Sequence, residues 1–468
     1  MRRERSPGAK LALTGLIALV LVVPLIMVYA LVYDRESQSE RAQAQITQGW
    51  GGAQTVTGPV LVLPYTYRTT ESEVVDGRTV QRSRVARAEF FISPTTQRVE
   101  TSIDPDRKGY AIYESVVYLS DMQGRARFDP PEDLERFGVQ IVDLLPAQAE
   151  LRFGVSDPRG LTEGAQVQVG GSNVQLSPGN GPVATGGKGF STALDWDGAS
   201  PLEVAWQYGI RGSESLALVP RGGETQWQVT SPWPHPSFTG DYLPSEREIG
   251  DGGFTATYSG ITNLSLNEQL VNRSDFGGDA AMAAEPAMEP GYSRDQAPQG
   301  GAIASIGLTD PVDLYSQVDR AVKYGFLFIG FTFAAFLMFD IVGGARVAAA
   351  EYLLTGAGLV LFFVLLLAFA EVVGFAVAYV VAAAAIIGLL TAYSAAVLGT
   401  WRRASFIGVM LAALYALLFV LLSMETYSLV IGALLLFAAL AGVMYATRGV
   451  DWAGVTRQDD ESEAAFAR

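Results

Sequence analysis

The sequence predicts an α+β membrane protein in which six transmembrane helices carry a large, mainly antiparallel β domain inserted between helices 1 and 2. Three observations predict it. Mean hydropathy is +0.23, too high for an ordinary soluble chain of 468 residues. Six apolar runs are long enough to cross a bilayer, which takes about 20 residues at 1.5 Å rise per residue. Between the first and second runs lies a long polar stretch of short alternating segments broken by glycine and proline, the signature of strands.

The first run, Leu11–Val32, follows Arg2, Arg3, Arg5 and Lys10 and contains Pro24. It is longer than a signal-peptide core and lacks a small-residue cleavage site, so it is expected to stay as a membrane helix. Arg35–Gln48 continues it as a helical stem without a strong buried face. The remaining runs are Tyr324–Ile341, Tyr352–Ala370, Gly374–Leu398, Phe406–Ser423 and Tyr427–Ala446. Lysine and arginine are retained on the cytoplasmic side of short loops. Arg346, Arg402, Arg403, Arg448 and Arg457 fall on one side with the basic N-terminus, while the alternate turns carry Glu371 and Glu425. Both termini are therefore expected in the cytoplasm and the β domain outside, which in a two-membrane bacterium is the periplasm. Arg320 and Lys323 depart from the rule, beside a long translocated domain where it is weak.

The expected organisation is a cytoplasmic N-terminus at 1–10, the first helix at 11–33, a stem at 34–55 and the β domain at 56–273. A mobile linker follows at 274–301, then a last outer segment with a stem helix at 302–323. A five-helix bundle at 324–447 and a cytoplasmic tail at 448–468 complete the chain. Strands are expected at Val60–Tyr67, Ala88–Ile92, Tyr110–Leu119, Ala165–Val169, Val174–Leu176, Leu202–Ile210, Glu224–Thr230 and Phe254–Tyr258. A helical piece is expected near Glu132–Phe137. Asn180-Gly181 and Asp197-Gly198 read as strand-connecting turns. In Glu224–Thr230, Thr225, Trp227 and Val229 share the face to be buried. In Val312–Lys323, Asp319 precedes Lys323 by four residues, so the two can pair on one helix face.

Composition narrows the chemistry. The absence of cysteine removes disulfides, thiol nucleophiles and thiolate metal sites, and the single histidine, His235, leaves no multi-histidine metal cage within one subunit. A net charge of -15 argues against nucleic acid as a partner. Gly181–Lys188 resembles a phosphate-binding loop, but its first glycine is one residue too distant and Gly189 stands where the magnesium-binding hydroxyl belongs. Gly189-Phe190-Ser191 is an incomplete nucleophile elbow, and a hydrolase would need Ser191 to meet His235 in space.

The densest local signal is Ser231–Pro244, whose four prolines predict an irregular, rigid loop after the Glu224–Thr230 strand. Trp233, His235, Phe238 and Asp241 are the candidate binding residues there. The competing expectation is that they plug one end of the β domain, with His235 hydrogen-bonded in place. Among acidic groups in or near the spans, Asp340 and Glu351 flank a cytoplasmic loop, and Glu371 lies at an outer turn. Asp340 and Glu371 are thus candidate membrane-interface acids, and no carboxylate is placed at mid-bilayer as proton-coupled transport would want. Gly343-Gly344 and Gly356-Ala357-Gly358 are read as sites of close helix packing.

With these residues laid out, the chain resembles the CreD family of cell-envelope integrity inner-membrane proteins over nearly its full length. The resemblance rests on Gly58-Pro-Val-Leu-Val-Leu-Pro64, Trp233-Pro-His-Pro-Ser-Phe238 with Gly240-Asp241 and Leu243-Pro244, Asp319-Arg320-Ala-Val-Lys-Tyr324, and Thr447-Arg448 with Asp451-Trp452. The chain departs from the family pattern in its alanine- and proline-rich linker near Ala280–Gly300. The resemblance implies a bacterial inner-membrane protein that supports the envelope or its stress response, with no enzymatic reaction or cofactor attached. The expectation is a non-enzymatic membrane protein without metal or cofactor, whose partners are the lipid bilayer and an envelope component met by the β domain. The alternative is a transporter or channel for a lipid or small solute using helices 2–6.

Overall fold

A computed structural model of the protein describes residues 7–75, 78–110, 113–138, 140–275, 302–308, 314–341 and 347–423, with a few isolated positions beyond. The chain forms two compact units, one of Met1–Glu40 with Val312–Arg468 and one of Arg41–Pro311. The predicted linker from residue 276 onward, Gly343-Gly344 and most of the predicted span Tyr427–Ala446 lie outside the described residues.

The first unit is helical: α1 (Pro7–Trp50, whose residues from Arg41 on belong to the second unit), α2 (Leu314–Lys323), α3 (Gly325–Ile341), α4 (Ala349–Val373), α5 (Phe375–Leu398) and α6 (Trp401–Ser423). Among the described residues, five helical stretches, Lys10–Trp50, Leu314–Leu337, Ala349–Val373, Phe375–Leu398 and Trp401–Leu422, are long and apolar enough to cross a membrane. In α1, Leu11–Val32 and Arg35–Gln48 form one uninterrupted helix with Pro24 inside. In the stem Arg35–Gln48 only Ser39, Ala42 and Thr47 are buried, and the rest is exposed or half-buried. A single left-handed glycine separates α4 from α5, Gly374 at φ 78°, a conformation that L side chains rarely adopt. Glycines also bring helices together. A Cβ on Gly356 would overlap the Leu21 side chain, and one on Gly358 would lie 2.9 Å from Leu390, which bears out their reading as packing sites. At the start of α4, the Glu351 carboxylate accepts a hydrogen bond from the Ala348 N–H at 2.7 Å, satisfying a helix-terminal donor. The stem helix runs on into the next span as predicted, with a one-residue turn at Tyr324 between α2 and α3.

The second unit is built from two sheets around one apolar core. One sheet runs in the order Ser237–Gly240, Ala304–Gly307, Ser215–Val219, Gln54–Val75, Ala149–Val155, Gly189–Leu194, Ser177–Pro178, with Arg78–Ile92, Gln140–Leu144 and Val271–Asn272 added off this path. The other runs Glu246–Gly250, Gly253–Thr262, Glu224–Ser231, Thr96–Tyr110, Tyr113–Phe128, Leu202–Ser213, Gln166–Val169, Ser172–Asn173. Pairing is mainly antiparallel. The exceptions are Gln54–Thr57 beside Leu216–Val219 and Glu224–Thr230 beside Thr96–Ser102.

Alternation decides which side chains enter the core. Thr225, Trp227 and Val229 are each 0% exposed, and the Trp227 indole N–H donates to Thr101 Oγ1 at 2.9 Å while its ring stacks on Tyr258. Tyr65, Phe90, Tyr118, Phe128 and Phe153 fill the same interior. Three strand expectations are corrected. Tyr110–Leu119 is two strands, because Tyr110 pairs with Tyr113 and closes Thr96–Tyr110, a strand hidden in sequence by the turn-like Asp104-Pro105-Asp106. Val174–Leu176 is not a strand but joins two very short ones. Asp197-Gly198 makes no hairpin. The Asp197 carboxylate accepts from the N–H groups of Ala199 and Ser200, and the chain crosses from one sheet to the other. Gly181–Lys188 is a turn, as expected, holding the short 3-10 stretch Val183–Thr185. Leu134–Phe137 is a short 3-10 helix, the helical piece expected near Glu132–Phe137.

The β domain also extends past its predicted end at residue 273. Asp275 is 5% exposed at its side chain, pairs with the wholly buried Arg221 and accepts the N–H of Val183 at 2.7 Å.

Candidate binding surface

Ser231–Pro244 is not the uniform loop its prolines suggest. Four residues of it, Ser237–Gly240, form a strand paired antiparallel with Ala304–Gly307, from Ser237 opposite Gly307 to Gly240 opposite Ala304. Proline cannot donate to a ladder, and the strand begins directly after Pro236. Among the described strands this one is the edge of its sheet, and Glu246–Gly250, a few residues on, is the edge of the other. One stretch of chain thus supplies an edge to each sheet.

The four predicted residues separate by role. Trp233 is buried at 8% exposure, its indole N–H donates to the His235 carbonyl at 3.0 Å, and the Arg107 guanidinium sits 5.8 Å from its ring centroid. Its position matches the plug and not an exposed recognition ring. His235 is exposed, and among the described residues it is the backbone carbonyl, not the imidazole, that is hydrogen-bonded. Phe238 is half-buried, edge-on to Phe254 at 5.7 Å. Asp241 staples the edge. Its carboxylate accepts from the Ile303 N–H at 3.1 Å, and its own N–H donates to the Ile303 carbonyl at 2.8 Å.

Two features near these residues escaped the sequence reading. Asp251-Gly252 is a two-residue hairpin turn, with Gly250 opposite Gly253, and a Asp-Gly pair was the signal that could have found it. The Tyr242 hydroxyl donates to Ser265 Oγ at 3.2 Å, bringing the neighbouring Leu243 and Leu264, 65% and 85% exposed, to one end of the edge. A recess of about 630 Å³ lies beside the hairpin, lined by Ser102, Ser231, Pro232, Glu248, Ile249 and Phe254 among others. A second, polar recess of about 430 Å³ lies between Arg98, Glu100, Gln123, Arg125, Gln168 and Gln207.

Ser191 and His235 do not come together. Ser191 is 3% exposed in Gly189–Leu194, and four strands intervene before the edge strand that follows His235. At about 4.8 Å per strand this puts the two sides some ~24 Å apart. Among the described residues, no cluster of three or more histidine, aspartate or glutamate side chains is placed to hold a metal ion.

In the helical unit the predicted acid and the predicted pair are parts of one arrangement. Asp319 Oδ2 lies 2.6 Å from Lys323 Nζ on α2, as the four-residue spacing requires. Lys323 Nζ also lies 5.9 Å from the ring centroid of Tyr29 on α1. Glu371 near the end of α4 is only 13% exposed at its side chain, accepts from the Tyr315 hydroxyl of α2 at 3.3 Å and faces Arg35 Nε of α1 at 4.0 Å. It therefore ties three helices together. The Asp340 side chain lies outside the described residues.

Comparison with known proteins places this architecture. Residues 6–453 match the family model described as Inner membrane protein CreD. The chain is 30% identical over 441 residues to Inner membrane protein CreD of Escherichia coli strain K12, covering 93% of this chain and 91% of that protein. Among solved structures, an M1 zinc metallopeptidase from Deinococcus radiodurans aligns at 10% identity and a TM-score of 0.21, over 36% of this chain and 38% of its own.

Proposed function

We propose, from the premise that the chain belongs to the CreD family of inner membrane proteins, that it is a non-enzymatic envelope protein whose β domain contacts an envelope component. In this reading six helices cross the inner membrane with both termini in the cytoplasm, and the β domain, inserted between the first and second spans, is periplasmic. The arginines at 346, 402, 403, 448 and 457 support that orientation. The contact is made along the paired sheet edges of Ser237–Gly250.

The observation that carries the contact is the edge itself. Unpaired strand edges offer rows of backbone donors and acceptors, and proteins usually cover, shorten or charge them. Here Glu246, Arg247 and Glu248 protect one edge with charge, but Ile249 is 50% exposed beside them and Leu243 lies exposed on the connection. A partner that adds a strand and covers these side chains would satisfy both edge and apolar surface.

The test is in-cell crosslinking from a photo-reactive residue at Leu243. Capture of a defined envelope protein or glycan, lost in Ile249→Asp while protein level is unchanged, is the expected result. Full complementation of a deletion strain by Leu243→Asp combined with Ile249→Asp would overturn the edge as the contact.

A further inference from the structure

Several buried hydroxyls in the helical unit lack the partners that such groups ordinarily find, Thr391 and Tyr415 among them, and three of the small ones lie close together. Thr332 on α3, Thr355 on α4 and Ser394 on α5 are 0%, 1% and 0% exposed, and among the described residues none of their side-chain oxygens is hydrogen-bonded. A serine or threonine in an apolar helix commonly donates to a carbonyl one turn back. Thr14 does so to Lys10 at 2.9 Å, and Ser405 to Arg402 at 2.9 Å. The three buried hydroxyls do not.

Packing puts them at one level. Gly358 of α4 lies against Leu390 of α5, and the two helices run antiparallel across the Gly374 turn. Thr355 is one turn from Gly358 towards the start of α4, and Ser394 is one turn from Leu390 towards the end of α5, so they occupy the same level of the facing surfaces. On α3, Thr332 shares a stripe with Phe328 and Phe336, four residues to either side. Phe336 packs on Tyr352 and Phe328 on Phe363, so Thr332 falls opposite the part of α4 between those two aromatics, which contains Thr355. α1 brings the apolar Leu21 against Gly356, while Tyr352 and Thr391, each one turn from Thr355 and Ser394, add hydroxyls beside this level.

We propose that Thr332, Thr355 and Ser394 form an internal hydration site that holds water between three helices of the bundle. Each hydroxyl can donate once and accept twice, and a buried water makes about 2–4 hydrogen bonds. With no carboxylate or cation in the trio, a neutral hydrogen-bonding guest fits it and an ion does not. Thr355 is six residues inside the start of α4 and Ser394 four before the end of α5, so the site lies one to two turns from the bundle end, within reach of solvent exchange.

The test uses the full chain in lipid nanodiscs. Thr332→Val, Thr355→Val and Ser394→Ala keep the shape nearly constant and remove one partner each. If water is bound, each single change lowers the thermal midpoint by about 2–4 °C, whereas hydroxyls that merely lack partners would raise it when removed. Midpoints that rise or do not move overturn the proposal. Independently of any variant, water-edited solid-state NMR of the native protein should transfer magnetisation from water to Thr332 and Thr355. Transfer absent at both residues while present at exposed threonines overturns it as well.

Discussion

The Arg221 guanidinium is wholly shielded from solvent in an ion pair with Asp275, 54 residues later, whose other carboxylate oxygen accepts the Val183 N–H at 2.7 Å. Burial pushes Arg221 down from its ordinary value, and the Asp275 charge offsets that shift only in part. Taking an arginine out of water is costly unless its partner comes with it, so removing one member should cost about 3–5 kcal/mol. Asp275→Asn is expected to unfold the β domain at markedly lower urea than Arg221→Met combined with Asp275→Leu, measured on the full chain in detergent.

Trp233 and His235 lie two residues apart and should behave as opposites. Trp233→Ala empties part of the core and should cost about 3–5 kcal/mol. His235→Ala, at an exposed position, should change stability by less than about 0.5 kcal/mol. Thermal midpoints of the two variants, measured side by side, check this, and equal losses would contradict the assignment of Trp233 as a plug.

Helix packing at Gly356 should be sensitive to one methyl group. Gly356→Ala places a Cβ in the volume of Leu21, an overpacking expected to cost about 1–3 kcal/mol. Leu21→Ala in the same chain should restore much of it, because the second change vacates the space that the first one takes. Additive losses in the double variant would mean that α1 and α4 do not meet there.

Acid should weaken the β domain in a way traceable to named carboxylates. The Arg159 guanidinium, 2.8 Å from Asp157, holds that carboxyl below the usual 3.8 against the opposing effect of burial. Burial pushes Glu150 upward, but hydrogen bonds from Ser191, Arg152 and Asn180 together outweigh it and leave Glu150 below 4.5. A folded value below the unfolded one means that the unfolded chain binds more protons in acid. The stability these groups contribute is complete above their ordinary values and is lost as pH falls through the lowered ones. Burial raises Glu268, which opposes this trend. Urea midpoints followed from pH 6 to pH 3 should fall, and Arg152→Met should make the fall shallower.

Much of this architecture is legible in residue order because period and length are local properties. The run Leu11–Val32 must be helical wherever it sits in an apolar medium, since every backbone group has to be satisfied within the segment. The alternation of Thr225, Trp227 and Val229 identifies a buried face without reference to a partner. The Asp319–Lys323 pair follows from helix geometry alone. The Thr96–Tyr110 strand was not legible, because Asp104-Pro105-Asp106 carries turn chemistry that cross-strand pairing with Tyr118 and its neighbours overrides. The candidate site was legible only as a region: proline density marked Ser231–Pro244, but nothing local distinguishes a tryptophan turned inward from one presented to a partner.

By itself the sequence determined the long apolar helices, the β character of the large polar stretch, the exclusion of thiol chemistry and the family. These depend on hydrophobic period, composition and motif order, which neighbouring residues carry. Only the tertiary structure decided that Arg221 closes on Asp275, that Glu371 joins α1 to α2 and α4, that four strands separate the Ser191 strand from the edge strand after His235, and that one short stretch makes the edges of both sheets. Each of these joins residues far apart in the chain, and their proximity is set by which strands and helices pack together, a collective outcome of burying the core that no local pattern encodes.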